Sequence, residues 1–384
     1  MPLDKLLSKF RTLAEGIIAE EAPRVDQEAR WPEKSMRLLQ QERLTGLVVP
    51  QECGGWGQGL YALGQACEVI GQVSASTALC FGMHGVGAAV MAAKASPRQK
   101  KAFLEPIAQG LHLTTLALSE PGTGAHFYYP QTQLLAVSPD EFQLEGQKTF
   151  VTNGGHADSY VVSTVGVEPE AGFHQFSCAI VEKCAAGLDW GPAWNGIGMR
   201  GNSSRSLTLH QVTIPAWHLL GERGDQLWYI FQVVAPYFLT AMAGTYLGLA
   251  QAALDRVRHH LMQRHYSHSG LSLHQVPLLQ HRLGTLWAKV ERTRQLLYHA
   301  ARQGDAQGAG AVMSLLAAKA EVAHCAVEVV NEAMTLAGGS AYREDSAFDV
   351  LLRDARAAHV MSPTTDLLYT WIGRALLDQP LLGD

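Results

Sequence analysis

The sequence lacks an excess of positive charge and lacks any paired cysteine motif, and each absence excludes a class of protein. Thirty Lys and Arg residues face 35 Asp and Glu residues, which gives a formal net charge of -5 at pH 7. No basic stripe interleaved with aromatic residues is present, so nucleic acid is not an expected partner. The cysteines are far apart and form no Cys-x-x-Cys pair, which indicates reduced core residues rather than disulfides or metal ligands. They are Cys53, Cys67, Cys80, Cys178, Cys184 and Cys325.

We expect that the sequence contains neither a signal peptide nor a transmembrane helix. Its apolar stretches are broken by Gly, His, Lys or Arg well before the roughly 20 residues that a transmembrane helix needs. The first 20 residues place Leu, Ile and Phe10 at helical spacing with charges on the other face. This pattern is typical of an amphipathic surface helix. We therefore expect a cytoplasmic protein with no membrane partner.

What the sequence does contain is a large apolar fraction, with 47% hydrophobic and 17% charged residues. A chain of 384 residues exceeds what one hydrophobic core usually organises, so two or three structural units are expected. Such an apolar composition suggests large buried interfaces or a bound cofactor.

The hydrophobic periodicity changes twice along the chain. Helical spacing is replaced by short β-like runs and then returns as long Ala-rich stretches, an order typical of separate α, β and α units. The sequence predicts an α+β fold, mainly α: an N-terminal helical domain (1–111), a middle β-barrel-like or β-sandwich domain (112–222) and a C-terminal four-helix bundle (223–384). The expected helices lie near 3–20, 33–44, 60–72, 75–94, 98–109, 228–264, 275–303, 310–337, 346–360 and 364–378. The expected strands lie near 112–118, 133–137, 142–151, 160–165, 176–181 and 206–214.

Several short segments, most of them containing Gly, occur in a characteristic order. Each alone is weak evidence, because Gly and Pro most often only shape loops. In order and spacing, however, the set resembles the acyl-CoA dehydrogenase superfamily from about residue 10 to 378. The segments are Gly46-Leu47-Val48-Val49-Pro50, Ala117-Leu118-Ser119-Glu120-Pro121-Gly122-Thr123-Gly124, Gly146-Gln147-Lys148-Thr149-Phe150-Val151-Thr152-Asn153-Gly154, Gly198-Met199-Arg200-Gly201, Leu247-Gly248-Leu249-Ala250-Gln251, Gly338-Gly339-Ser340-Ala341-Tyr342 and Leu352-Arg353-Asp354-Ala355-Arg356.

The resemblance implies a binding site for FAD. A flavin ring needs backbone donors and hydroxyls at its polar edge, an aromatic or apolar wall on one face and room for substrate on the other. Without the resemblance, the hydroxyls of Ser119 and Thr152 would be interpreted as ordinary strand hydroxyls. With it, the residues assigned to the cofactor are Leu118, Ser119, Gly124, Phe150, Thr152 and Thr364.

The resemblance also implies that a second copy of the chain completes the cofactor site. Arg264 matches an Arg that reaches the FAD of a neighbouring subunit, and Gly338 and Gly339 match a turn that approaches the same cofactor, with Thr335 beside it. A homodimer or homotetramer is therefore expected. Two departures weaken the local match. The residues after Arg264 do not follow the family pattern, and Ala125-His126 stands where a Ser-Asp pair is usual.

A catalytic carboxylate is missing from both positions where the family places it. Dehydrogenation of a saturated thioester removes an α-proton, so a base must lie within hydrogen-bond reach of the α-carbon. One family position falls near Ser362, and the other falls on Phe238 and Leu239. Ser362-Pro363, with Asp366 shortly after, also has a purely structural interpretation as the start of a helix with Ser at the N-cap.

Four residues are candidates for the catalytic role, and each has an alternative interpretation. An unassisted hydroxyl such as that of Ser362 is a weak base at neutral pH. Asp366 lies one turn further on, where an acid usually caps or solvates a helix. His84 and His359 could approach the substrate, although a His on an apolar helix is more often a core residue. No His spacing indicates a metal site.

Three functions remain open. The first is an FAD-dependent oxidoreductase that dehydrogenates acyl-CoA or another acyl thioester and passes electrons to an electron-transfer flavoprotein. The second is a two-component monooxygenase or N-hydroxylase of the same superfamily, which lacks the Glu and takes reduced flavin from a flavin reductase. Against it, Thr152-Asn153 reads like the dehydrogenases. The third is a flavin-binding protein without turnover.

Overall fold

The N-terminal part of the chain is helical, as predicted. The computed structural model describes residues 2–167, 175–224 and 227–382. The first helix continues past its predicted end near residue 20, because a π-helical turn at Ala14–Ile18 joins two α-helices. Ser74 accepts a hydrogen bond from the Thr77 amide and begins the fifth helix. The helices are α1 (Leu3–Leu13), α2 (Ala19–Gln27), α3 (Glu33–Gln41), α4 (Leu60–Gly71), α5 (Ala75–Ala93), α6 (Pro97–Gln99) and α7 (Glu105–Ala108).

The middle part is a sheet with its own hydrophobic core. The strand order is β6-β7-β3-β2-β4-β5-β8, and β1 pairs in parallel with β4. The six predicted strands are confirmed within a few residues. Two further strands, β6 and β8, are too short to show an alternating pattern in the sequence. The strands are β1 (Thr114–Ala117), β2 (Gln133–Ser138), β3 (Glu141–Val151), β4 (Ser159–Gly166), β5 (Ser177–Glu182), β6 (Leu188–Trp190), β7 (Arg205–Pro215) and β8 (Leu219–Leu220).

The C-terminal part is helical again, with three long helices and two shorter ones after a single turn. The long α9, α10 and α11 pack together, and the shorter α12 and α13 pack on α11. These five principal helices of the described part match the five helical stretches predicted after residue 223. The helices are α8 (Leu227–Tyr229), α9 (Ala235–Gln263), α10 (Pro277–Asp305), α11 (Ala311–Ala337), α12 (Ala347–Val360) and α13 (Thr365–Leu376). The domain boundaries at 111/112 and 222/223 stay a prediction.

The glycines of α9 join the two helical parts of the chain. A Cβ atom at Gly244 would lie 2.3 Å from the carbonyl oxygen of Gly64, and one at Gly248 would lie 2.2 Å from that of Glu68. Both carbonyls belong to α4, so only Gly allows α9 to approach α4 this closely. The partner of this close approach is an N-terminal helix.

The most apolar helices and most cysteines lie inside the fold. Ala75–Ala93 and Ile230–Gln263 are long and apolar enough to cross a membrane by length and composition, but 94% and 89% of their most apolar windows are buried in the protein. All the cysteines are free, and all except Cys184 are buried. The expectation of core cysteines is thus wrong for Cys184. Among the described residues, no cluster of His, Cys, Asp and Glu has the arrangement of a metal site.

Candidate active site

A cavity of about 700 Å³ lies where the sheet meets the C-terminal helices. Its lining comes from α5, the segment after β1, the end of β3, the loop at 194–204, the start of α9, and α12 with the turn that follows it. The walls are mostly apolar on the side of α5 and α9. The residues of that side are Leu79, Met83, Val234, Ala235 and Phe238.

The residues assigned to the flavin from the sequence come together in this cavity. Leu118, Ser119, Gly124, Phe150, Thr152 and Thr364 all line it. They reach it from three separate parts of the chain, because the strand ends of β1 and β3 lie opposite the turn before α13. Their roles as FAD contacts stay a prediction, and the structure brings all six to one place.

The cavity fits a flavin ring. The Phe150 side chain is 64% exposed on its wall and meets Trp194 edge to face, with ring centroids 6.1 Å apart. A large aromatic side chain held open in this way offers the apolar surface on which a planar ring can stack. The Thr152 hydroxyl lies 3.1 Å from the Ser204 hydroxyl and supplies a polar edge. At Gly124 no atom lies within 4 Å of the position that a Cβ would occupy, so there is room for a ligand beside its backbone.

The residues assigned to a neighbouring subunit's cofactor lie outside this cavity. Arg264, directly after α9, is exposed, and so are Thr335, Gly338 and Gly339 at the end of α11. No atom lies within 4 Å of a Cβ placed at either glycine. One copy of the chain therefore cannot use these four residues at its own cavity, and their proposed role requires a second copy.

Glu120 is the only carboxylate that lines the cavity among the described residues, and it is not free. It lies 2.5 Å from the Lys148 ammonium, and both groups are buried. The Glu120 carboxylate also accepts hydrogen bonds from the Gln131 amide and from the amide and hydroxyl of Thr132. Burial alone would raise the pKa of Glu120, but the Lys148 charge and these hydrogen bonds outweigh it and lower that pKa. A carboxylate held in this way is a poor proton acceptor.

This ion pair was not identified from the sequence, although the signal was present. Lys148 lies four residues after Leu144 on β3, so both side chains point to the same face of the strand. Leu144 lies in the core of the sheet. A buried Lys is rare unless it is paired. Its ammonium also donates to the hydroxyl and carbonyl oxygen of Ser163 at 2.9 and 2.6 Å. The pair therefore fixes the segment that carries Leu118 and Ser119 against the end of β3.

His84, one of the four catalytic candidates, is a core residue, and its catalytic role stays a prediction. It is fully buried and does not line the cavity. Its Nδ1 accepts a hydrogen bond from the Thr114 amide at 3.1 Å, so the neutral ring carries its proton on Nε2, which donates to the Thr45 carbonyl at 3.0 Å. Both nitrogens are thus occupied in joining α5 to β1 and to the turn at Leu44–Gly46.

Replacement of His84 by Gln is expected to change acid stability rather than catalysis. Burial lowers the pKa of His84 to about 4, against 6.5 for an exposed imidazole. Between these values the unfolded chain binds more protons, so this residue stabilises the fold fully above pH 6.5, and the stabilisation is lost as the pH falls towards 4. The shift corresponds to about 3 kcal/mol. Urea unfolding of the wild type and of His84→Gln at pH 4.5 and 7.5 measures the difference, and an equal pH dependence in both proteins would contradict it.

The other three catalytic candidates are placed differently from one another. Ser362 lines the cavity, and its hydroxyl donates to the Ala125 carbonyl at 2.8 Å. His359 does not line it: its ring bonds the Thr365 hydroxyl and packs edge to face on His324. Asp366 is exposed in the first turn of α13 and also lies outside the lining. Of the four candidates, only Ser362 reaches the cavity.

The helix start that the sequence predicted at Ser362 lies two residues later. Thr364 is the N-cap, because its hydroxyl accepts a hydrogen bond from the Leu367 amide at 3.4 Å. Ser362 and Pro363 belong instead to the turn between α12 and α13 and face the cavity. Besides Glu120, the polar side chains of the lining include the Ser and Thr hydroxyls, Asn202, Arg353 and Arg356. None of them is a base of useful strength at neutral pH.

Comparison with known proteins places the chain in a family. The models of the N-terminal, middle and C-terminal domains of acyl-CoA dehydrogenase match residues 3–111, 115–212 and 239–377. A cyclohex-1-ene-1-carbonyl-CoA dehydrogenase of Geobacter metallireducens is 29% identical over 97% of both chains. An acyl-CoA dehydrogenase of Bacillus subtilis is 27% identical over 97% of this chain and 96% of its own. The solved butyryl-CoA dehydrogenase of Megasphaera elsdenii superposes with a TM-score of 0.91 at 24% identity and covers 98% of each chain.

Proposed function

Because the chain belongs to the acyl-CoA dehydrogenase family, we propose that it is an FAD-dependent oxidoreductase that dehydrogenates an acyl thioester. The observation that carries the proposal is the cavity itself, in which the six residues assigned to the flavin meet an apolar space beside α5 and α9. The dehydrogenase names of the relatives support the same reaction class.

In this proposal, one set of cavity residues contacts the cofactor and another contacts the substrate. Bound FAD supplies the hydride acceptor for the CH-CH bond of the substrate. Phe150 and Trp194 offer an aromatic wall, and Thr152 and Ser204 offer hydroxyls at its edge. Leu79, Met83 and Phe238 give an apolar lining that excludes water from an acyl chain.

The proton acceptor differs from a family carboxylate in this proposal. The Ser362 hydroxyl donates a hydrogen bond to the Ala125 carbonyl oxygen, so the Ser362 oxygen remains available as a hydrogen-bond acceptor at the cavity wall. It can orient a water molecule or a substrate N–H or O–H group but cannot hold the α-proton itself. We therefore propose that this proton passes to a basic group carried by the substrate itself. Substrates with an acidic α-position are favoured over simple saturated acyl chains.

An anaerobic titration tests this proposal. The FAD-loaded protein is mixed with a panel of acyl-CoA thioesters and with thioesters carried on acyl carrier protein, and the absorbance of oxidised flavin near its visible maximum is followed. We expect bleaching by at least one thioester, and expect it to be fastest where the α-proton is most acidic. A panel in which no thioester changes the flavin spectrum would overturn the proposal.

The same site leaves a second candidate, which the absence of a free carboxylate in the described lining favours. A two-component monooxygenase of this fold needs no α-proton acceptor, so a cavity whose only carboxylate is the paired Glu120 suits it. Weak retention of FAD during purification, together with oxygen-dependent product formation from added reduced flavin, would support it. Retained FAD that is bleached by a thioester without oxygen would exclude it.

We also propose that the active form is a homodimer or homotetramer in the cytoplasm, with an electron-transfer flavoprotein or a flavin reductase as its redox partner. The exposed positions of Arg264, Gly338 and Gly339 support the oligomer, because these residues lie outside the chain's own cavity. A monomer that retains one FAD per chain in analytical ultracentrifugation would contradict it.

A further inference from the structure

A buried lysine lies behind the turn that carries Ser362. Lys319, on α11, is 1% exposed, and its ammonium donates three hydrogen bonds, all to backbone carbonyls. The acceptors are Ala358 at 3.0 Å, Met361 at 3.3 Å and Pro363 at 2.8 Å. All three N–H donors of the ammonium are therefore used on a single turn.

The backbone closes the end of α12 with the Met361 amide, which donates to the Ala357 carbonyl, and Lys319 supplies further donors beyond it. The last carbonyls of a helix lack partners within the helix, and a Gly in the left-handed conformation commonly supplies them with amide donors. Here the residues after Met361 are Ser362 and Pro363, and Pro has no amide proton. Met361 itself has an extended backbone. A cation at the helix C-terminus takes the place of that cap and also meets the negative end of the helix dipole.

The residues that Lys319 holds form one wall of the active-site cavity. Met361, Ser362, Pro363 and Thr364 all line it. From this wall the Ser362 hydroxyl reaches Ala125 on the opposite side, and Thr364 begins α13. The position of the wall therefore depends on a side chain that does not itself line the cavity.

We propose that Lys319 is a positioning residue that fixes the α12–α13 turn and thereby the fit of the cavity to FAD and substrate. Burial lowers the pKa of Lys319 to about 7. Burying a charge in this way costs free energy. An apolar residue of similar length would fill the same space without that cost, so the presence of Lys is consistent with a requirement for its three hydrogen-bond donors. The proposal rests on the proposed flavin site, but it does not depend on which thioester is oxidised.

The test replaces Lys319 by Met, which is similar in length and has no donors. In the FAD-loaded protein, hydrogen exchange of peptides covering 357–368 is expected to be at least about tenfold faster than in the wild type, because three charge-assisted hydrogen bonds are lost. The dissociation constant for FAD, measured by flavin fluorescence on reconstitution of the apoprotein, is expected to rise at least about tenfold for the same reason.

Leu315→Ala is the matched control. Leu315 lies one turn earlier on α11 and is buried, and its side chain lies beside Gly304 at the end of α10. This variant should lower the melting temperature and leave both the exchange of 357–368 and the affinity for FAD within about threefold of the wild type. Should Lys319→Met fail to fold, Lys319→Gln, with two amide donors, is measured by the same criteria.

Unchanged exchange and unchanged FAD affinity in the Lys319 variant would overturn the proposal, and so would equal effects in Leu315→Ala. Neither measurement uses a thioester. A failure of the anaerobic titration described above would thus leave this result standing, and the two proposals can fail independently.

Discussion

Replacement of Ser362 by Glu is expected to accelerate anaerobic bleaching of the flavin by a saturated acyl-CoA about 100-fold or more, since a positioned general base contributes roughly 10²–10⁴ in rate. Ser362 is the only one of the four candidate residues that lines the cavity, and the only carboxylate of the described lining is paired with Lys148. A Glu at this position would place a free carboxylate at the wall. Stopped-flow absorbance under anaerobic conditions measures the rate.

Ser362→Gln is the control for this experiment, because Gln has the size of Glu without its basicity. Ser362→Ala additionally tests the hydrogen bond to Ala125. We expect both to remain within about tenfold of the wild type, since a hydroxyl that is not a base contributes little to proton removal. If Ser362→Glu is no faster than Ser362→Gln, proton removal does not limit the reaction, and the interpretation of the cavity as a dehydrogenase site lacking its base is wrong.

Replacement of Lys148 by Met is expected to lower the free energy of unfolding by about 3–5 kcal/mol and to abolish retention of FAD, because the Glu120 charge is left buried without its partner. The Lys148 ammonium also donates to Ser163 and lies 3.5 Å from the carbonyl oxygen of Leu118. Its loss therefore frees the segment that carries the proposed flavin contacts. Urea unfolding and the ratio of flavin to protein absorbance measure the two effects.

Two variants separate the ion pair from other effects of losing a lysine. Lys183 lies at the end of β5 in the same sheet and pairs with Asp158 at the surface. Lys183→Met should cost no more than about 1 kcal/mol, as exposed ion pairs do. The double variant Glu120→Gln/Lys148→Met removes both charges and keeps an acceptor for Thr132. It should recover most of the lost stability, and failure to recover would show that the charge on Glu120 is not the cause.

Much of the fold could be predicted from the sequence, because most helices and strands follow from local patterns of residues. The helices at Ala75–Ala93 and Ala311–Ala337 and the strand at Glu141–Val151 follow from apolar spacing and from their flanking residues. The strands Leu188–Trp190 and Leu219–Leu220 escaped prediction because two or three residues cannot show a period. The glycines of α9 allow a close contact with another helix, but the sequence did not indicate that this helix is α4.

The candidate site was predictable only in part. Leu118, Phe150 and Thr364 were assigned by resemblance, and the cavity collects them. The sequence did not show which polar side chains reach the cavity and are free to react. His84, His359 and Asp366 had the right residue type for a base, yet each lies outside the cavity lining.

The sequence by itself determined the family, the order of helices and strands and the absence of a Glu at position 362. Each of these depends on residue identity and on spacing along the chain. Only the tertiary structure decided which polar groups are free. His84 is hydrogen-bonded to Thr114, and Lys319 is hydrogen-bonded to Pro363. These partners lie 30 and 44 residues away in the sequence. A hydrogen bond satisfies a buried group wherever its partner lies in the chain, so chemical availability is set by contacts in space.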